Sequence, residues 1–209
     1  MKWRFAIVLL STCFFLILIG YSFWQQDWQY SLPTPRPQGL DQLAIGETVD
    51  LASTSLPSDI SRPISLHFFN PGCPCSRFNV DHIRSLIQSY KSKVRFIAIL
   101  QGDEPHLSEA FSKLGLNIES VVDSDGSIAK ATGVYATPQA VIIDQQNRLY
   151  YRGNYNASRY CAIKETEFAR IALETLLDGK PPPQIPAAAS TAYGCPLPKK
   201  QSLKAASAS

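Results

Sequence analysis

An apolar run from Ile64 to Phe69 stops on Asn70-Pro71-Gly72 and hands over to Cys73-Pro74-Cys75-Ser76, where a segment carrying Ile83, Leu86, Ile87 and Tyr90 begins. A strand that meets a Pro/Gly turn and then a helix with a cysteine in its first turn constrains the fold chiefly in combination with a second segment. A thiol there lies among backbone N–H groups that lack helical partners, at the positive end of the helix dipole, and both favour thiolate. Far downstream, Ala136-Thr137-Pro138-Gln139 precedes the apolar stretch Ala140 to Ile143. Proline has no N–H to give a sheet ladder, so it suits a strand entrance, and a cis bond there would leave a backbone edge open.

The remaining chain predicts what surrounds these two segments. Net charge is only +3 and the basic residues are scattered, so no nucleic-acid footprint is expected. Lys2 and Arg4 precede an uncharged apolar run, Phe5 to Phe23. As a helix it covers roughly 28 Å, close to the ~30 Å hydrocarbon core of a bilayer. Trp3 on one side and Trp24, Trp28 and Tyr30 on the other suit the two interfaces, and the basic flank keeps the N-terminus cytoplasmic. No small-x-small cleavage site follows Phe23, so residues 1–24 are expected to remain as an anchor in membrane lipid. Residues 25–39, with Pro33, Pro35 and Pro37, read as a semi-rigid linker. Residues 40–179 are the expected folded domain, and residues 180–209 a Pro/Ala-rich tail without a core of its own.

Within the domain, Val94 to Leu100 has the near-continuous apolar character of a strand buried on both faces. Leu107, Ala110, Phe111 and Leu114 recur at helical spacing, with Asp103 as cap and Gly115 as stop. A short strand at Ser120–Val122, a helix at Ser127–Thr132, a hairpin joining Ala140–Ile143 to Leu149–Tyr151, and a helix at Lys164–Leu177 complete the pattern. Alternating strands and helices closed by a hairpin and a helix predict an α/β fold with a central mixed sheet.

The strand, the cysteine at a helix start and the distant Thr-Pro strand together resemble the thioredoxin superfamily. The insertion from Asp103 to Val122, the run Val122-Asp123-Ser124-Asp125-Gly126 through Val141-Ile142-Ile143-Asp144, and the late Gly194-Cys195-Pro196-Leu197 are similar to its TlpA-like and peroxiredoxin-related redoxin (AhpC/TSA) branch. The commoner family pattern separates its two cysteines by two residues. Here Ser76 stands at the second position and Cys75 one short of it, giving an unusual Cys-Pro-Cys motif. The resemblance implies a thioredoxin-like domain in the bacterial periplasm, held to the inner membrane by a single pass, acting as a thiol–disulfide oxidoreductase. Its partners would be protein thiols and disulfides and an unidentified redox protein, with no cofactor and no metal.

By that resemblance Cys73 is the attacking thiol, Cys75 its expected partner, and Thr137 and Pro138 position substrate. His67 occupies the place of a buried acid beneath the active site and is a candidate proton acceptor, since its pKa is ordinarily near neutral; a hydrogen-bonded core histidine is the alternative. His82 and His106 are expected at the surface. Cys161 and Cys195 are a candidate disulfide pinning the tail, while the competing reading makes Cys195 a resolving thiol for Cys73. Three other functions fit parts of the pattern. A redoxin-type peroxidase would use Cys73 on peroxide, although Asn70 stands where that active-site loop carries Thr. A Cu(I) chaperone would use the two soft thiolates with His67 or a distal His. An adaptor would keep the fold and the Thr-Pro groove without turnover.

Overall fold

The computed structural model describes residues 2–28, 32–40, 42–57, 61–101, 106–158 and 160–198, which fall into two compact units, Met1–Leu32 and Pro33–Ser209. In the first, helix α1 (Lys2–Phe23) runs into a π turn at Trp24–Trp28. The stretch Trp3–Gln26, which holds an 18-residue window of mean hydropathy 2.3, is long and apolar enough to cross a membrane.

The second unit is built on a sheet that, among the described residues, has five strands in the order β3-β2-β1-β5-β6. These are β1 (Ile64–Phe69), β2 (Arg95–Leu100), β3 (Glu119–Val122), β5 (Gln139–Ile143) and β6 (Leu149–Gly153). Strands β1, β2 and β3 are parallel, and β5 and β6 add antiparallel to β1. Side chains alternate between two apolar layers, as the period of a strand requires. Leu66 and Phe68, Ile97 and Ile99, and Val141 and Ile143 face Val49, Leu51, Leu56 and helix α5 (Ser127–Thr132). Phe69, Phe96, Ala98, Leu100, Ala140 and Ile142 face helices α3 (Val80–Tyr90), α4 (Leu107–Ser112) and α6 (Phe168–Leu177). This is the thioredoxin-like α/β arrangement, with helices on both faces of a mixed sheet.

Several details depart from the sequence expectation. The single helix expected to start at the cysteines and carry Ile83, Leu86, Ile87 and Tyr90 is two, α2 (Pro74–Phe78) and α3, broken at Asn79. The Asn79 side chain donates to the Cys75 carbonyl oxygen at 2.9 Å, capturing an acceptor the helical ladder would otherwise use. The helix at Lys164–Leu177 begins as a 3-10 turn (Lys164–Thr166) before α6. Asp103 lies outside the described residues, and α4 starts after His106. His106 is exposed as expected. His82 is not: its side chain is only 6% exposed, 3.9 Å from the Glu167 carboxylate, because its face of α3 turns toward the start of α6.

Both flanks of residues 40–179 join the fold. A short helix, α7 (Ala187–Ser190), buries Ala189 completely and packs on the end of β6. There Gly153 has no side chain to obstruct it, since a Cβ would overlap the Ala189 carbonyl oxygen. The Asn154 amide N–H donates to that oxygen at 2.8 Å, and its side chain donates to the carbonyls of Ala188 (2.8 Å) and Thr191 (2.6 Å). Beyond α7, β7 (Cys195–Pro196) pairs antiparallel with β4 (Ala136–Thr137). Pro33 bridges Tyr193, and the Thr34 N–H donates to the Ala192 carbonyl at 2.8 Å.

Candidate active site

Asn70 organises the turn after β1. Its side-chain oxygen accepts from the Gly72 N–H at 2.8 Å and its carbonyl from the Cys73 N–H at 3.0 Å, while its own N–H donates to Ser76 Oγ at 3.3 Å. That turn delivers Cys73 as the N-cap of α2 in extended backbone conformation, with Pro74 in the first turn, where a missing N–H costs no helical bond. Cys73 Sγ lies 3.6 Å from the Thr137 carbonyl oxygen. The Thr137-Pro138 peptide bond is cis, and Thr137 is fully buried. The structure therefore brings together Cys73, Thr137 and Pro138, the segments singled out at opposite ends of the domain sequence.

Cys195 completes the group. It is disulfide-bonded to Cys73, with the two Cα atoms 6.1 Å apart. The candidate Cys161–Cys195 staple is not what forms. The pairing of β7 with β4 places Cys195 opposite Thr137, and hence over Cys73, whereas Cys161 remains a thiol elsewhere. The same register corrects the expectation that Cys75 partners Cys73. Cys75 sits inside the first turn of α2, buried at 3% exposure, and stays reduced.

Cys161 has a different setting. Its thiol donates to Asn79 Oδ1 at 2.9 Å, so Asn79 links it to the Cys75 backbone. Burial first, and then the nearby Glu167 carboxylate, push its pKa up to about 12. A thiol so protonated is a poor nucleophile.

His67 lies in the middle of β1, between Ala98 of β2 and Ala140 of β5. It is buried at 1% exposure, and its Nδ1 is 2.8 Å from the Tyr155 hydroxyl. Desolvation lowers its pKa to about 3, so the ring is neutral at physiological pH. As a proton acceptor near neutrality it is therefore weak, and its surroundings match the core-histidine alternative. Thr137 Oγ1 and Gln139 Oε1, on either side of Pro138, are buried and have no hydrogen-bond partner among the described residues.

Asn79 was not singled out in the sequence, and Gly194 only as part of the late Gly194-Cys195-Pro196-Leu197 run. An Asn interrupting the helical pattern four residues after Cys75 is the sign that could have found the first.

The family model DUF6436, described as a domain of unknown function, matches residues 46–196. No curated protein matches the sequence. Among solved structures, a hypothetical protein of Sinorhizobium meliloti superposes with a TM-score of 0.63 at 20% identity, covering 75% of this chain and 95% of that one. An uncharacterized conserved protein of Geobacillus kaustophilus gives 0.61 at 26% identity, covering 80% and 94%. The thioredoxin domain of a thiol–disulfide oxidoreductase from Bacteroides vulgatus overlaps less, with a TM-score of 0.47 at 12% identity over 59% and 98%.

Proposed function

We propose that this chain, which belongs to the DUF6436 family, is a thiol–disulfide oxidoreductase whose redox couple is Cys73 with Cys195. The observation that carries the reading is a disulfide between a cysteine at a helix start and a cysteine on a strand paired to the Thr137 edge. A buried structural staple would have no need of that edge. A substrate-exchanging thiol does, because an extended peptide must lie there to bring its sulfur in line.

In the reduced form, the Cys73 thiolate attacks one sulfur of a substrate disulfide. A Cys73–substrate bond forms, the substrate S–S bond breaks, and the departing thiolate takes the electron pair. The Cys195 thiolate then attacks Cys73 Sγ, closing Cys73–Cys195 and releasing the second substrate thiolate. Two electrons pass from the protein dithiol to the substrate, and a dithiol partner restores the reduced state. Run backwards, the same steps oxidise a substrate dithiol. Cys195 thus takes the resolving role, and Cys75 remains a reduced neighbour of the couple.

The proposal includes placement. The apolar helix α1 would anchor the chain in a bacterial inner membrane, with Lys2 and Arg4 cytoplasmic and the second unit in the periplasm, where a disulfide persists. Kinship with the redoxin branch rests on the inserted α4 and β3.

Reduced full-length Cys195→Ser offered a protein disulfide should accumulate a mixed disulfide on Cys73, because attack proceeds and resolution does not. Cys73→Ser should form none. Mixed disulfides gathering on Cys75 instead would refute the assignment.

A further inference from the structure

Residues 192–197 lie between two walls, and nearly all that holds them there is backbone. On one side Cys195 pairs with Thr137, Pro196 pairs with Ala136, and the Leu197 N–H donates to the Tyr135 carbonyl at 3.1 Å. On the other, the Thr34 N–H donates to the Ala192 carbonyl (2.8 Å) and Thr34 Oγ1 to the Gly194 carbonyl (3.1 Å). Backbone pairing of this kind accepts any extended segment. Sequence is tested only where a side chain meets a wall.

Ala192 is fully buried against Tyr135 and Ala136, and the three positions around Cys195 differ in how much room they leave. Gly194 has φ of 131°, in a region L side chains rarely adopt. A Cβ there would overlap the Thr137 carbonyl oxygen and stand 3.1 Å from its carbon, both backbone atoms that cannot step aside. Pro196 is exposed, so that position is permissive. Leu197 packs against the apolar layer that holds Val134, Ile128 and Leu149.

We propose that the β4 edge beside Cys73 recognises extended peptides in which glycine precedes the reacting cysteine and an apolar residue follows two positions later. The chain's own Gly194-Cys195-Pro196-Leu197 is the built-in example. The proposal rests on the oxidoreductase reading and narrows its substrate class: protein disulfides whose reactive sulfur belongs to a Gly-Cys-x-apolar segment. Glycine is demanded at the position where the register that brings sulfur to sulfur also brings Cα against the Thr137 carbonyl. The tail then competes with substrate for one edge, and a substrate must displace it to reach Cys73.

The test uses reduced full-length Cys195→Ser and two peptides, Ala-Tyr-Gly-Cys-Pro-Leu and Ala-Tyr-Ala-Cys-Pro-Leu, each activated as a mixed disulfide with thionitrobenzoate. Attack by Cys73 on the peptide sulfur releases the coloured thiolate, and each rate is normalised to that of free cysteine with the same peptide. The glycine peptide should react at least about tenfold faster, the factor expected from one strained, clashing residue. Adding Gly194→Ala to Cys195→Ser should accelerate the glycine peptide further, because the altered tail no longer fits its own groove. Equal normalised rates for the two peptides, with Cys73 still reacting briskly with a small aromatic disulfide, would overturn the specificity and leave the oxidoreductase reading standing. A Cys73 no more reactive than a denatured cysteine toward any of these disulfides would end both.

Discussion

Opening the Cys73–Cys195 bond should lower the stability of the second unit by a calculable amount without dismantling it. The bond closes a loop across a sequence separation of 122. The chain-entropy relation for a loop of that length gives about 5 kcal/mol at 25 °C, an upper figure because native strain subtracts from it. The effect falls on the unfolded chain. In the folded one, the tail keeps the hydrogen bonds of Asn154 to Ala188, Ala189 and Thr191, and those of Thr34 to Ala192 and Gly194, none of which needs the disulfide. Oxidised and reduced full-length protein should therefore share one near-ultraviolet circular dichroism spectrum, yet separate in urea by about 2 M at a typical slope for a domain of this size. The buried Tyr151 and Tyr155 are the proper probes. Trp3, Trp24 and Trp28 all lie in the first unit and would report something else. By the thermodynamic cycle, the same free energy makes the couple about 100 mV more reducing in the folded chain than in the unfolded one. A urea midpoint indifferent to reduction would refute the reasoning, since a cross-link over this loop cannot be silent in the unfolded ensemble.

Two further outcomes follow from particular residues. His67, with its pKa lowered to about 3 by burial, binds its proton more readily unfolded than folded between that value and the ordinary ~6.5. Its contribution is thus fully present above pH ~6.5 and is lost as pH falls toward 3; proton NMR should show the His67 ring neutral across pH 5–8, and a ring that titrates near 6.5 would contradict its placement. Gly153→Ala would drive a Cβ into the Ala189 carbonyl and to 2.9 Å from the Tyr151 hydroxyl, costing about 1–3 kcal/mol as overpacking does. It should also slow closure of Cys73–Cys195 by unseating α7, and an unchanged closure rate would show that α7 does not position the tail.

What the sequence made legible was local or pairwise. β1 occupies the residues its apolar run marked, Ile64–Phe69, and α5 those its turn and spacing marked, Ser127–Thr132. Cys73 and Thr137-Pro138 were expected together because the two segments jointly resemble the thioredoxin superfamily, each lying at the end of an apolar strand. The partner of Cys73 was legible only as a pair of alternatives, Cys75 or Cys195, since spacing does not determine which cysteines pair; the Cys195 alternative is the one that forms. The answer depended on Gly153 admitting α7 and on Thr34 and β4 gripping a Pro/Ala-rich segment too poor in apolar residues to announce itself. Asn79, splitting one expected helix into two, and the burial of His82 against Glu167 likewise depend on tertiary neighbours that no helical period contains.

The redox state of each cysteine, followed as the full-length protein is equilibrated through a series of dithiol/disulfide buffers, tests the assignment most directly. Exchange is quenched with acid, free thiols are alkylated in denaturant because Cys75 and Cys161 are shielded in the folded chain, disulfide-linked ones are labelled after reduction, and the two labels are separated by peptide mass. Cys73 and Cys195 should change state together along one two-electron curve, while Cys75 and Cys161 remain thiols throughout. A Cys73–Cys75 or Cys161–Cys195 linkage dominating the oxidised protein, or a Cys73–Cys195 bond that no buffer can open without unfolding the chain, would contradict it.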